Sequence, residues 1–188
     1  MTCGALLSAC AFAPRLVQLE PLPPRPRLQP ATGCLQVAAF RDKRERRDRV
    51  GSNHAGLAKA VTYGDVPAWI QGHLARSLAP LSTCTPGQTP AILHGAVETA
   101  YVDEGFTLDG EITVFVEFSV GGQQLLARRF TGEYSRVSHA ASSEEYTITL
   151  YESLLDLDAR LSPTIAHALM TSPLRTGAAA TATPAVGP

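Results

Sequence analysis

Residues 111–120 read EITVFVEFSV, and Ile112, Val114, Val116 and Phe118 fall on one side of that run. A period of two places alternate side chains on opposite faces of a strand, so this segment predicts a strand with one packed face. Gly121 and Gly122 follow and supply the positive φ values of a tight hairpin turn. Residues 124–136 return as the next strand, and residues 91–101 (AILHGAVETAY) make an earlier one. The period lengthens over residues 65–79, where Val66, Trp69, Ile70, Leu74 and Leu78 recur at helical spacing. Asp65 suits the N-cap, Pro67 is tolerated in the first turn, and Pro80 stops the helix. Ser142 with Glu145 forms a capping box that opens a longer helix with a seam of Leu150, Leu154, Leu157 and Leu161. Ser162-Pro163 predicts a break there, followed by a last short helix ending near Met170.

A further strand comes from CLQVAAF, residues 34–40, whose two faces are both apolar and suit an interior position. The predicted order is therefore β-α-β-β-β-α. It implies an α+β fold: a two-layer sandwich of a four-stranded mixed sheet with both helices on one face. The β-α-β start makes the first two strands parallel through a right-handed crossover, and the remaining strands form an antiparallel meander. In this geometry the first helix returns antiparallel to the first strand. Cys34, at the strand's start, and Cys84, after the helix, then come within reach of a disulfide. Closing a loop of that length is worth about 4 kcal/mol on a chain-entropy model.

The chain has 188 residues, enough for one domain with appendages. We divide it into residues 1–9, a signal remnant; 10–33, a lipidated Cys and proline-rich tether; 34–170, the α+β domain; and 171–188, a disordered tail. The tether, within which RLVQLE (residues 15–20) can add an edge strand, is otherwise extended because proline fixes φ and lacks an N–H. Cys10 closes the sequence LLSAC, a Leu and small residues before a Cys, which resembles the lipobox of bacterial lipoproteins. The resemblance implies acylation of Cys10, and several acyl chains anchor a protein stably where one does not. Ala11, rather than Asp, follows that cysteine, which by the same resemblance implies the periplasmic face of the outer membrane.

The lipobox cysteine, the proline-containing lead, the strand running into FRDKR and RVG, and the Trp-bearing DVPAWIQGHL together resemble the YajG-type bacterial lipoproteins over residues 10–170. That resemblance implies an outer-membrane lipoprotein and carries no catalytic residues with it. The expected function is a non-catalytic binding or scaffold module of the cell envelope, its partners the membrane through a lipid anchor and an envelope protein or glycan. An accessory lipoprotein of an envelope transport system is the alternative within this class.

Composition narrows the chemistry further. A formal net charge of −1 lacks the basic excess of a nucleic-acid binder, so no nucleic acid is expected. The loudest local feature is RDKRERRDR, residues 41–49, whose Arg41, Lys43, Arg44, Arg46, Arg47 and Arg49 are the candidate partner-binding residues. They suit lipid headgroups, peptidoglycan carboxylates or an acidic surface, and equally a solvated loop whose charges partly cancel. GSNHAGLAKA, residues 51–60, has Leu57 where a phosphate-binding loop needs Lys, and reads as a plain loop. The cysteines and histidines lack zinc-ligand spacing, and DEGFTLDGE, residues 103–111, lacks the order of a calcium loop and reads as a hairpin connection. No cofactor or metal is expected. A small cell-wall or lipid hydrolase is the remaining alternative, and it requires His94 or His139 beside an acid such as Glu98 or Glu133.

Overall fold

The computed structural model describes residues 14–21, 33–52, 59–138 and 141–172. Cys10, His54, His139, most of the proline-rich segment and the C-terminal tail lie outside the described residues. The elements in chain order are β1 (Arg15–Leu16), β2 (Leu35–Val37), β3 (Arg41–Asp42), β4 (Gly51–Ser52), β5 (Lys59–Val61), α1 (Val66–Leu78), β6 (Ala91–Glu104), β7 (Thr107–Val120), β8 (Gln123–Val137) and α2 (Ser143–Thr171).

The α+β class holds, but the sheet has eight strands rather than four. Its long part is the antiparallel meander β6-β7-β8, turned at Gly121 and Gly122 with φ of 57° and 83°. On the other side of β6, β2, β3 and β4 pair with it in succession, all parallel. β5 then pairs antiparallel with β4, and β1 parallel with β5. β1 is the edge strand expected within RLVQLE, while β3, β4 and β5 are two or three residues long, too short for a hydrophobic period to mark them. β3 and β4 take up the free edge of β6, and the sheet then grows outward as β5 pairs with β4 and β1 with β5. The hairpin connection expected across residues 103–111 shrinks to Gly105 and Phe106, since β6 and β7 extend to meet it.

Asp65 caps α1, its Oδ1 accepting from the amide of Ala68 at 3.0 Å. At α2 the Ser142 hydroxyl accepts from the Glu145 amide at 3.2 Å, while the Glu145 carboxylate accepts from the Ser142 amide at 2.8 Å. The expected break at Ser162-Pro163 does not occur, for α2 runs through Pro163 without interruption. Pro163 and Ala159 are exposed, so the carbonyl left without its partner can turn to water. Leu161, Ile165 and Leu169 are buried on either side of the proline, and their packing holds the helix together.

Both helices pack on one face of the sheet. Leu108, Ile112, Val114, Val116 and Phe118 of β7 are fully buried there with Ile70 and Leu74 of α1 and Leu154, Leu157 and Leu161 of α2. Gly132 of β8 sits beneath α2, where a Cβ would come within 2.1 Å of the Ser153 carbonyl oxygen. Only glycine permits so close an approach of helix to sheet. Among the described residues no helix is long and apolar enough to cross a membrane.

Cys34 and Cys84 form a disulfide. It fastens the segment after α1 to the start of β2, where the Ser82 hydroxyl also donates to the Leu35 carbonyl at 2.9 Å.

Candidate functional site

With the helices on one face, the opposite face of β6-β7-β8 is left with a polar pattern. Residues across the strands there include Thr99, Thr113 and Thr131 in one row and Tyr101, Glu111 and Glu133 in the next. Asp103, Asp109 and Ser135 follow in a third. The Thr113 hydroxyl lies 2.8 Å from that of Thr131 and bonds to Glu111 at 3.0 Å. Asp109 accepts from the hydroxyls of Thr107, at 2.7 Å, and Ser135. β6 carries a bulge between Val97 and Thr99, which places Glu98 on this face against Arg129. The carboxylate of Glu98 raises the pKa of the Arg129 guanidinium.

The basic run forms the wall of this face. β3 leaves the edge of β6 beside that bulge, the amide of Lys43 bonding the Val97 carbonyl at 2.9 Å, and the chain rejoins β6 where Val102 donates to Val50 at 2.9 Å. The residues between arch away from the sheet and enclose an open cavity of about 600 Å³, lined by the loop at Arg44–Arg46 and by the acids of the meander. A polar cleft of this volume is of ligand-binding size.

The candidate basic residues are disposed in different ways. Arg44 is 7% exposed and is held side-on by Asp42, Nε to Oδ1 at 3.0 Å and Nη2 to Oδ2 at 2.9 Å. The Arg44 fork holds the Asp42 carboxyl below the usual carboxylate range. Arg44 Nη1 is buried and has no hydrogen-bond partner among the described residues. Arg46 stands over the ring of Tyr101 at 4.9 Å, and Arg47 Nε donates to the Arg44 carbonyl at 3.2 Å. Arg49 bonds Asp48, as does Lys59 at 2.9 Å, and Lys59 with Arg49 lowers the Asp48 carboxyl to about 2. Arg41 is exposed and 3.9 Å from Glu117, and Lys43 is exposed. Five of the six basic residues of the run thus have a partner within the protein.

Of the groups named for a hydrolase, His139 lies outside the described residues. His94 lies opposite Glu117 on the open face, Glu98 is taken by Arg129, and Glu133 is on the far strand β8. A different polar cluster is buried between the helices. Asp158 accepts from the Ser77 hydroxyl at 2.7 Å and from Ser162, with His73 Nε2 at 3.4 Å. Burial pushes the Asp158 carboxyl up, but the His73 ring and the Ser162 and Ser77 hydroxyls outweigh it and hold the pKa below its ordinary value. All four residues are buried, so the cluster ties α1 to α2 and presents nothing to solvent.

Alternation in the sequence marks the inward face of the meander, and its polar positions are the signal for the groove. A connection across DEGFTLDGE hides this, because it leaves Asp103 and Asp109 in a loop rather than on two paired strands.

No protein-family model matches the chain, and no curated protein matches its sequence. Among solved structures it is similar to a protein from Xanthomonas campestris of family DUF330, at 14% identity and TM-score 0.54, covering 88% of this chain and 98% of that one. A second, uncharacterised protein is similar at 11% identity and TM-score 0.54, covering 81% of this chain and 99% of that one. These likenesses are of fold alone. A candidate lipoprotein from Caulobacter crescentus CB15 aligns at 11% identity over 65% of this chain and 92% of that one, with a TM-score of 0.46, below a shared fold.

Proposed function

We propose that the chain is a non-catalytic, lipid-anchored binding module of the bacterial cell envelope, of YajG type, held on the periplasmic face of the outer membrane through Cys10. The observation that carries this reading is the groove on the open sheet face. It is a cavity of about 600 Å³ on a rigid three-stranded meander, walled by a charged loop whose ends are both paired to the sheet. Such a surface suits holding a partner.

Two further features support the address. The Cys34–Cys84 disulfide belongs with an oxidising compartment. Cys10 lies five positions before Arg15, which bonds Glu104 at the β6-β7 turn. An extended chain spans at most about 3.3–3.6 Å per residue, so an acyl group on Cys10 keeps that end of the sheet near the bilayer. Phe106 is 88% exposed at that turn.

The test is the intact mass of the protein extracted from membranes of a Gram-negative host, expressed with its native upstream region, with Cys10→Ala as control. A chain starting at Cys10 with added acyl mass, absent from the control, is the expected result. An unmodified chain that retains Met1 overturns the anchored reading.

A further inference from the structure

We propose that the groove binds a basic peptide segment in extended form, its lysine or arginine side chains against the carboxylates of the meander and one of its carbonyl oxygens on Arg44. This rests on the binding-module reading and names the ligand of that site.

The carboxylates are arranged at a cost. Asp103 is directly across from Asp109 and Glu111 directly across from Glu133. Like charges in opposed positions destabilise a sheet. None of the four is in an ion pair among the described residues, and the hydroxyls on Asp109 and Glu111 leave their charge intact. A cation laid across the strands removes the repulsion.

Arg44 supplies the second, independent observation. Asp42 takes Nε and Nη2, which fixes the guanidinium plane and leaves Nη1 directed away from the carboxylate. That nitrogen is buried in a residue that lines the groove, and its protons meet no acceptor among the described residues. A buried charged donor without a partner is costly, and a carbonyl oxygen on a ligand is what it lacks.

The two requirements together select the ligand. A metal ion offers Arg44 no acceptor, and no three acidic, cysteine or histidine residues among those described are placed to hold one. A polyamine answers the carboxylates but has no acceptor for Arg44. A peptide carries cationic side chains at intervals and a carbonyl at every residue. Thr99 to Asp103 spans roughly 13 Å at the usual rise of a strand, room for about four extended residues. Arg46, seated over Tyr101 in the same groove, is this chain's own example of a guanidinium accepted there.

The test is titration of the full chain with a fluorescent, end-capped peptide of alternating lysine and alanine, an otherwise identical glutamate peptide, and spermine. The expected result is binding of the lysine peptide that weakens as salt is raised. Glu111→Gln with Glu133→Gln, both on the solvent side of the sheet, should reduce that affinity about fivefold to tenfold. Arg44→Lys, which keeps the charge and removes the fork, should weaken the peptide but leave spermine unchanged. Thermal unfolding of each variant verifies that it is folded, so the glutamine pair remains decisive if Arg44→Lys is not. Spermine binding as tightly as the peptide, or a glutamine pair without effect, overturns the proposal. Binding of the glutamate peptide instead also overturns it, but leaves a binding module whose site is the basic loop. Loss of acylation at Cys10 would bear on the anchor alone.

Discussion

The indole N–H of Trp69 donates to the backbone oxygen of Glu20 at 2.9 Å. The Tyr151 hydroxyl reaches the same oxygen at 2.7 Å and accepts from the Glu20 amide at 2.8 Å. The two rings stack, with centroids 5.6 Å apart, so α1 and α2 jointly grip the chain that leads into the domain. Trp69→Phe keeps an aromatic ring and loses the N–H, and should cost about 1–2 kcal/mol in urea unfolding. Tyr151→Phe should cost a similar amount. The double variant should fall short of their sum, because the two donors share one acceptor. Limited proteolysis should then cut near Glu20 sooner than in the parent.

Gly132→Ala tests how closely α2 lies on β8. The added methyl would stand 2.1 Å from the Ser153 oxygen and 2.3 Å from the Leu157 nitrogen, both helix backbone that cannot turn aside. A loss of about 2–3 kcal/mol is expected. Gly72→Ala is the contrast, since its nearest neighbour is the flexible end of Arg76 at 3.4 Å. In a helix interior it should stabilise by about 0.5–1 kcal/mol. Equal effects at the two positions would show that backbone entropy, rather than packing, sets the cost at Gly132.

Removing the Cys34–Cys84 bond by Cys84→Ser closes no loop of 50 residues in the unfolded chain. The expected loss is about 4 kcal/mol, or roughly 10 °C in Tm for a domain of this size. Calorimetry of the oxidised parent and the variant measures it.

Asp158 should make the helix pair acid-sensitive. Its folded pKa lies below the ordinary value of 3.8, so its contribution is fully present above the unfolded pKa. It is lost as pH falls from about 4 through the lower folded value. Unfolding free energies measured between pH 6 and pH 2 should decline in that window for the parent, and less steeply for Asp158→Asn. A parallel decline in both proteins would assign the acid sensitivity to other carboxylates.

Local pattern carries much of this fold. Alternating Ile112, Val114, Val116 and Phe118 defines the packed face of β7, and the two glycines define its turn. The Ser142–Glu145 box opens α2 at the residue it marks. These features depend on neighbours a few residues away, and the sequence contains them whole. Pro163 shows the limit, since its local preference to end a helix is overruled by the burial of Ile165 and Leu169, which depends on the sheet beneath.

The sequence by itself thus determined the meander, the helices and their caps, because periodicity and capping are short-range physics. The tertiary structure alone decided the rest. β3, β4 and β5 are two or three residues long and form only because neighbouring strands offer them hydrogen bonds, whereas β1 falls where RLVQLE suggested an edge strand. The charged run became a wall because its ends are pinned to β6, and Arg44 was buried in doing so. Asp103, Asp109, Glu111 and Glu133 share one face through register across three strands, a relation fixed by long-range pairing and turns rather than by any residue's own preference.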